Sequence, residues 1–170
     1  MSSCRHQTGL RARLAAPLLA AALLLAACGF EPVYGTSGSA EALSGQVGLA
    51  EPETREDYLL TQGIESRLGR TAAPAYQLKT QVAVREDGLA VTADGQITRY
   101  NLVGAADYVL TDSATGDEIA KGRVDNFTGY SATGSTVATL AAERDARQRL
   151  MKTLADQIVD RLILSVPAPS

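Results

Sequence analysis

The feature that most limits the fold of this chain is a run of alternating apolar and polar residues at positions 76–85. The even positions are mainly apolar: Tyr76, Leu78, Thr80, Val82 and Val84. The odd positions are mainly polar: Gln77, Lys79, Gln81, Ala83 and Arg85. Successive side chains of a β-strand point to opposite faces of a sheet. The alternation therefore predicts a strand with one face buried and the other in water. Such a sheet needs a second layer over its apolar face.

Two longer strands are expected after this one. In the first, Tyr100, Leu102, Ala106, Tyr108 and Leu110 share an apolar face. A weaker alternation follows at 118–127. Turn signals separate the strands: Glu86-Asp87-Gly88 and Asp94-Gly95 on either side of the short apolar segment 89–92, and then the stretch 112–117. Gly122 inside the last strand indicates a bulge or a close approach. Strands joined by short turns predict an antiparallel meander.

An amphipathic helix is predicted on each side of the meander. Before it, a short strand at 46–50 precedes Thr54 and Asp57, whose spacing is typical of a capping box that starts a helix over 55–68. After it, an apolar row predicts a helix over about 136–164. The fold class is then α+β, a two-layer sandwich in which two helices cover one face of an about four-stranded, largely antiparallel sheet. We expect one domain over 46–166 and a frayed tail at 167–170.

The chain begins with the pattern of an export signal. Arginines precede an apolar run of Leu and Ala at 14–27, which is shorter than the ~20 residues of a membrane-spanning helix. The run ends in Leu25-Ala26-Ala27-Cys28, which resembles the lipobox of bacterial lipoproteins. We expect residues 1–27 to be removed, Cys28 to carry a diacylglyceryl and an N-acyl lipid, and 28–45 to form a flexible tether. Phe30, Val33 and Tyr34 in that tether would contact the membrane, a partner or the domain's own surface.

Composition excludes several classes of chemistry once the signal is removed. The only histidine, His6, and one of the two cysteines, Cys4, leave with the signal, and Cys28 is used by its lipid. Without them the usual nucleophilic triads and zinc sites cannot be built. The signal holds three of the 16 basic residues and none of the 19 acidic ones. The mature chain therefore has 13 basic and 19 acidic residues and a formal net charge of −6. We therefore expect no enzyme, metal, further cofactor or nucleic-acid partner.

Two stretches resemble a known family. They are Cys28-Gly29-Phe30-Glu31-Pro32-Val33-Tyr34-Gly35 and Ser135-Thr136-Val137-Ala138-Thr139-Leu140-Ala141-Ala142-Glu143-Arg144-Asp145-Ala146. With the order of strand, helix, meander and helix, they resemble the LPS-assembly lipoprotein LptE of alphaproteobacteria. The resemblance implies a lipid-anchored outer-membrane protein on the periplasmic side. It also implies that the protein sits inside the LptD β-barrel, helps it fold and helps place lipopolysaccharide in the outer leaflet. Gly29 agrees, since it is not the aspartate that retains enterobacterial lipoproteins in the inner membrane.

A ligand that bears phosphates requires a local basic patch, because the mature chain is acidic. The candidate residues are polar-face positions of the three meander strands: Lys79, Arg85, Arg99, Lys121 and Arg123. Guanidinium and ammonium groups suit phosphate recognition. The alternative is that these are ordinary solvated strand positions that discourage aggregation at sheet edges.

Two other functions fit parts of the pattern. A small lipoprotein chaperone or pilotin for another outer-membrane complex has the same signal, tether and fold. A periplasmic enzyme would need two carboxylates that converge in a pocket. The acid pairs at Glu86-Asp87, Asp112 with Asp117-Glu118, and Glu56-Asp57 lie beside glycines or at a helix start, where solvated acids are common.

Overall fold

A computed structural model of the chain describes residues 39–166. The elements in chain order are α1 (Ser39–Leu43), β1 (Val47–Leu49), α2 (Arg55–Leu68), β2 (Tyr76–Val91), β3 (Ile97–Asp112), β4 (Glu118–Ser131) and α3 (Thr136–Ser165). The four strands form one sheet in the order β1-β2-β3-β4. β1 pairs in parallel with the start of β2, and the other two pairings are antiparallel.

Both long helices begin at side-chain caps. The Thr54 hydroxyl accepts the backbone N–H of Asp57 at 3.1 Å, and the Asp57 carboxylate accepts the N–H of Thr54 at 3.1 Å, which completes a capping box at the start of α2. α2 ends at Gly69, which has φ +78°. α3 begins after Ser135, whose side chain accepts the N–H of Ala138. The predicted bounds 55–68 are confirmed, and those of α3 are confirmed to within one residue.

Two predicted boundaries in the meander were wrong. Glu86-Asp87-Gly88 is not a turn, because these residues pair with Leu102, Asn101 and Tyr100 of β3, and β2 continues to Val91. The irregularity there is instead a register shift between Gly88 and Ala90, typical of a β-bulge. β4 also continues past Phe127 to Ser131. In both places cross-strand pairing outweighs the local preference of glycine and acidic residues for turns.

The other turn predictions are confirmed. Gly95 lies in the turn between β2 and β3 with φ +85°, and Gly116 lies between β3 and β4 with φ +78°. Gly122 marks a close approach rather than a bulge, because a Cβ atom there would lie 2.7 Å from the Tyr108 hydroxyl. An aromatic ring on the neighbouring strand therefore occupies the place of the missing side chain.

The core lies between the sheet and the helices. The sheet contributes Leu78, Leu102, Leu110 and Val124, all almost fully buried, and α2 and α3 cover them with a row each: Leu60, Ile64 and Leu68, and Leu150, Leu154, Ile158 and Leu162. A Cβ atom at Gly104 would lie 2.9 Å from Leu150, so α3 packs closely on the central strand at this glycine. The predicted α+β two-layer sandwich with helices on one face is confirmed.

The structure also places part of the predicted tether in the domain. Ser39–Leu43 is helical and Leu43 is fully buried, although the Gly, Ser and Ala content of 28–45 predicts a flexible segment. The signal at 1–27, Cys28 with Phe30, Val33 and Tyr34, and the tail at 167–170 lie outside the described residues. None of the helices in residues 39–166 is long and apolar enough to span a membrane.

Candidate functional site

The meander has one face under the helices and one without a covering layer among the described residues. Even-numbered residues of β2 from Tyr76 to Glu86, of β3, and of β4 from Ala120 onward face the helices, because the buried positions such as Leu78, Leu102 and Val124 all belong to this set. The register shift next to Thr111 puts Glu118 on the opposite side. Odd-numbered residues therefore point to the other side. We call this side the open face.

All five candidate basic residues lie on the open face and are exposed: Lys79, Arg85, Arg99, Lys121 and Arg123. The strand register brings three of them together. Lys79 and Lys121 both pair with Val109, and Arg123 lies in the next row, opposite Asp107. Arg85 lies six residues along β2 from Lys79, about 20 Å at ~3.3 Å per residue. Arg99 lies further along, opposite Ser131. The five cations therefore form two groups on the open face, one of Lys79, Lys121 and Arg123 and the other of Arg85 and Arg99.

Three of the five cations have carboxylate partners. Arg85 contacts Asp87 at 2.9 Å, Lys121 contacts Glu118 at 2.9 Å, and Arg123 contacts Asp107 at 3.1 Å. The hydrogen bond between Arg85 and Asp87 lowers the pKa of the Asp87 carboxyl and raises the pKa of the Arg85 guanidinium.

Exposed ion pairs of this kind contribute little stability and exchange easily. Lys79 and Arg99 have no ion-pair partner within residues 39–166. An incoming anion can therefore contact these two without displacing a carboxylate.

Apolar groups lie between the cations. Ala83 and Ala105 leave a shallow depression of about 370 Å³, which Arg85 and Arg123 flank. Beside it, Phe127 pairs with Val103 and is 69% exposed. Phe127 was missing from the predicted site, although its odd number in β4 is a signal that would have placed it on the open face. Cations and apolar side chains together suit an amphiphile with anionic groups.

A separate polar cluster lies on the helix side and joins four elements. The Arg147 guanidinium contacts Glu56 at 3.0 Å, Glu143 at 2.9 Å and Glu86 at 3.5 Å, and the Tyr130 hydroxyl donates to Glu86 at 3.1 Å. Partial burial alone would lower the pKa of Arg147, but hydrogen bonds and charge from Glu143 and Glu56 raise it. Burial, then the hydrogen bond to Glu86, raises the pKa of Tyr130 to about 12.

This cluster bears on the carboxylates considered for an enzyme. Glu56 and Glu86, taken from two different acid pairs, do converge, but both are ion-paired to Arg147. Glu143 lies one helical turn from Arg147, but Glu56 and Glu86 lie far from it in the chain, so the sequence does not signal those two contacts. Within residues 39–166 there is no group of three or more His, Cys, Asp or Glu residues placed to hold a metal ion.

Comparison with protein families assigns this domain. A family model described as LptE, lipopolysaccharide-assembly, matches residues 45–162. The chain belongs to the LptE family. LptE proteins form a family of outer-membrane lipoproteins that act in lipopolysaccharide assembly and are not enzymes. The matched residues run from just before β1 to the last buried turn of α3, so the match covers almost the whole described domain.

Solved structures share the LptE fold seen here. The chain is similar to a candidate lipoprotein from Caulobacter crescentus CB15, with 29% identity and a TM-score of 0.62 over 76% of this chain and 96% of that one. It is also similar to lipoprotein B from Nitrosomonas europaea, with 16% identity and a TM-score of 0.54 over 81% and 90% of the two chains. It is similar as well to rare lipoprotein B from Shewanella oneidensis, with 11% identity and a TM-score of 0.53 over 69% of this chain and 91% of that one. At these lower identities the likeness concerns the fold alone. No curated protein sequence matches the chain.

Proposed function

We propose that this chain is the lipoprotein partner of an LptD-type β-barrel in the outer membrane. It plugs the barrel, assists its assembly and helps insert lipopolysaccharide into the outer leaflet. The observation that carries the proposal is the family match over residues 45–162. The sequence of the leader agrees with it, because removal of residues 1–27 and lipidation of Cys28 would place the domain on the periplasmic side of the membrane. The lipid on Cys28 is then the only non-protein group that the function requires.

We further propose that the open face contacts lipopolysaccharide. The domain is acidic as a whole, but five cations on this face oppose four carboxylates: Asp87, Asp107, Glu118 and Asp125. Arginine binds phosphate oxygens through paired hydrogen bonds. The depression beside Phe127 offers apolar contact to an acyl chain. Each part of an amphiphile thus has a counterpart on one surface.

The barrel partnership is tested by co-purification. We expect the full chain, expressed with its own leader and extracted from outer membranes in mild detergent, to be recovered with a large β-barrel protein. A Cys28→Ala variant should lose the membrane fraction and the barrel together, because lipidation precedes docking. Recovery with a secretin, or without any barrel, would contradict the proposal and favour the chaperone or pilotin alternative.

The lipopolysaccharide contact is tested by charge reversal on the open face. Arg85→Glu with Arg99→Glu should weaken binding of purified lipopolysaccharide about ten-fold or more, because two charge-assisted contacts become repulsive. The matched control is Arg55→Glu with Arg144→Glu, which changes the net charge equally at exposed helix positions. Equal binding by both double variants would remove the open face as the contact surface, while leaving the barrel partnership intact.

A further inference from the structure

The two outer edges of the sheet differ in how their backbone groups are satisfied. On β4, side chains occupy three outward groups: Arg161 donates to the Arg123 carbonyl at 2.7 Å, Arg149 donates to the Gly129 carbonyl at 3.4 Å, and Asn126 accepts the Phe127 N–H at 2.7 Å. An incoming strand has to displace these side chains before it can pair. β4 is therefore a protected edge.

The edge of β2 has no such cover. The Tyr76 N–H donates to the Gln46 carbonyl beside β1, so the even-numbered residues of β2 direct their backbone groups away from β3. β1 pairs only as far as Leu78. Beyond it, the outward N–H and C=O groups of four residues have no hydrogen-bond partner within residues 39–166: Thr80, Val82, Val84 and Glu86. We call these four residues the bare edge.

Pro52 explains why the described chain does not cover the bare edge itself. The even-numbered residues beside and in β1 bond to β2, as Gln46 does. If this parallel register continued, Pro52 would have to donate to the Thr80 carbonyl, but proline has no backbone N–H. β1 therefore ends at Leu49, and the segment 50–54 makes no backbone hydrogen bond to β2.

The backbone groups of the bare edge identify the kind of occupant. N–H donors and C=O acceptors alternate in a row from Thr80 to Glu86, a length of about 20 Å at ~3.3 Å per residue. An extended polypeptide presents acceptors and donors at the same repeat, as in the addition of a β-strand to a sheet edge. The phosphates of an amphiphile satisfy only the N–H half of such a row. The bare edge therefore suits a strand better than it suits the ligand proposed for the open face.

Side chains beside the bare edge narrow the chemistry of that strand. On the helix side, Val82 and Val84 are half-buried, so they leave apolar surface for β-branched residues of an added strand. On the open face, Lys79 is exposed and has no ion-pair partner within residues 39–166. A carboxylate next to Lys79 is therefore favourable. The matching occupant is an extended segment with apolar residues on one side and an acidic residue on the other.

We propose that the barrel partner adds one such extended segment to the sheet at the bare edge. This inference rests on the proposed function, because a plug is surrounded by its barrel. The wall strands of a closed barrel have no free edges. The segment therefore comes from a loop or a terminal stretch of the partner that enters the lumen. Backbone pairing then sets the orientation of the domain inside the barrel.

Hydrogen–deuterium exchange of the co-purified complex tests the pairing. The full chain is extracted with its barrel in mild detergent, and exchange is read at single residues by mass spectrometry with fragmentation. The N–H groups of Val82 and Val84 should exchange about ten-fold or more slowly than in the full chain expressed without the barrel. The N–H of Asp125 points outward on β4, as its odd-numbered neighbours do, and is the internal control. Its exchange rate should not differ between the two samples.

The possible outcomes separate this inference from the proposed function. If the full chain is recovered without a barrel, both fail. If the barrel is recovered but Val82 and Val84 exchange as fast as in the free chain, the proposed function stands and strand addition is overturned. Equal slowing at Asp125 also overturns strand addition, because it reports enclosure of the whole domain and not pairing at one edge.

A proline on each edge tests the same pairing by substitution. Val82→Pro removes one outward N–H and leaves the hydrogen bonds to β3, which odd-numbered residues make. It should lower the amount of barrel recovered per chain about three-fold or more, as expected for one lost hydrogen bond. Val82→Ala keeps the N–H, and Asp125→Pro removes an outward N–H from the protected edge. Both controls should recover the barrel as well as the unsubstituted chain does.

Unchanged recovery with Val82→Pro, or an equal loss with Val82→Ala, contradicts a contact through the backbone. Circular dichroism checks that each variant is folded. The exchange experiment needs no substitution, so it decides the proposal even if Val82→Pro does not fold.

Discussion

The two faces of the meander are made by alternate residues of the same three strands, yet they serve different purposes. On the helix side, Leu78, Leu102 and Leu110 are almost fully buried under α2 and α3. On the open face, Phe127 is 69% exposed and the charged residues pair loosely with one another. A single alternation therefore separates the residues that hold the fold from those available for binding. Substitutions on the two sides should have separable effects.

The largest expected effect is the loss of a buried side chain on the helix side. Leu154→Ala should lower the free energy of unfolding by about 2–5 kcal/mol, because it leaves a cavity between α3 and Gly104. The control on the open face is Val109→Ala, for which we expect a loss under about 1 kcal/mol. Urea unfolding measures both. Equal losses would show that the two faces do not differ as described.

A second expected effect is a loss of stability when a side chain is added at a glycine that lies close to a neighbouring strand. Gly122→Val should destabilise the domain by about 1–3 kcal/mol, since its Cβ atom would lie 2.7 Å from the Tyr108 hydroxyl. Gly129→Ala on the same strand should cost less, because its Cβ atom would lie 3.4 Å from the Tyr100 carbonyl oxygen. Thermal unfolding of both variants provides the comparison. A larger loss at Gly129 would contradict the packing of Tyr108 over Gly122.

A third effect appears at high pH on the helix side. The pKa of Tyr130 is raised from 10.0 to about 12, so the folded state favours the protonated phenol. That stabilisation is fully present below pH 10 and is lost as the pH rises toward about 12. A shift of two pKa units corresponds to about 3 kcal/mol. Tyr130→Phe should therefore reduce the loss of stability between these pH values.

The matched control for this pH effect is Tyr58→Phe, because Tyr58 is 55% exposed on α2. Like Tyr130→Phe, it removes one phenol hydroxyl, but outside the cluster around Arg147. If both variants show the same dependence as the unsubstituted chain, the hydrogen bond of Tyr130 to Glu86 does not contribute as described.

The smallest expected effect on stability is on the open face. Phe127→Ser should change the free energy of unfolding by no more than about 0.5 kcal/mol, because the ring is mostly in water already. If the proposed contact with lipopolysaccharide is correct, the same change should weaken that binding measurably. A large loss of stability would mean that the ring packs on the domain and is not available to a ligand.

Local signals in the sequence predicted several elements closely. The bounds of α2 follow from Thr54, Asp57 and Gly69, which act within one helical turn of each end. The turns at Gly95 and Gly116 follow from residues that tolerate positive φ. Alternation was enough to place Lys79 and Arg85 on the exposed side of β2.

Features that depend on distant pairing were not predicted. Glu86-Asp87-Gly88 has the composition of a turn, and only its pairing with β3 keeps it in a strand. The division of the basic residues into two groups depends on the register between strands, which alternation within one strand does not define. The partial burial of Arg147 was not predicted either. Its contacts with Glu56 and Glu86 join residues far apart in the chain, and no local pattern signals them.

The buried position of Leu43 has a mechanical consequence. Tension applied along the chain from its N-terminal side reaches α1 before it reaches the sheet, and the fully buried Leu43 must leave the core before β1 is loaded. β1 has only three residues, so once Leu43 is released it is held by its short pairing with β2 and by the buried side chain of Val47. Under load, α1 and β1 should detach first as a unit while the meander and the two long helices remain folded.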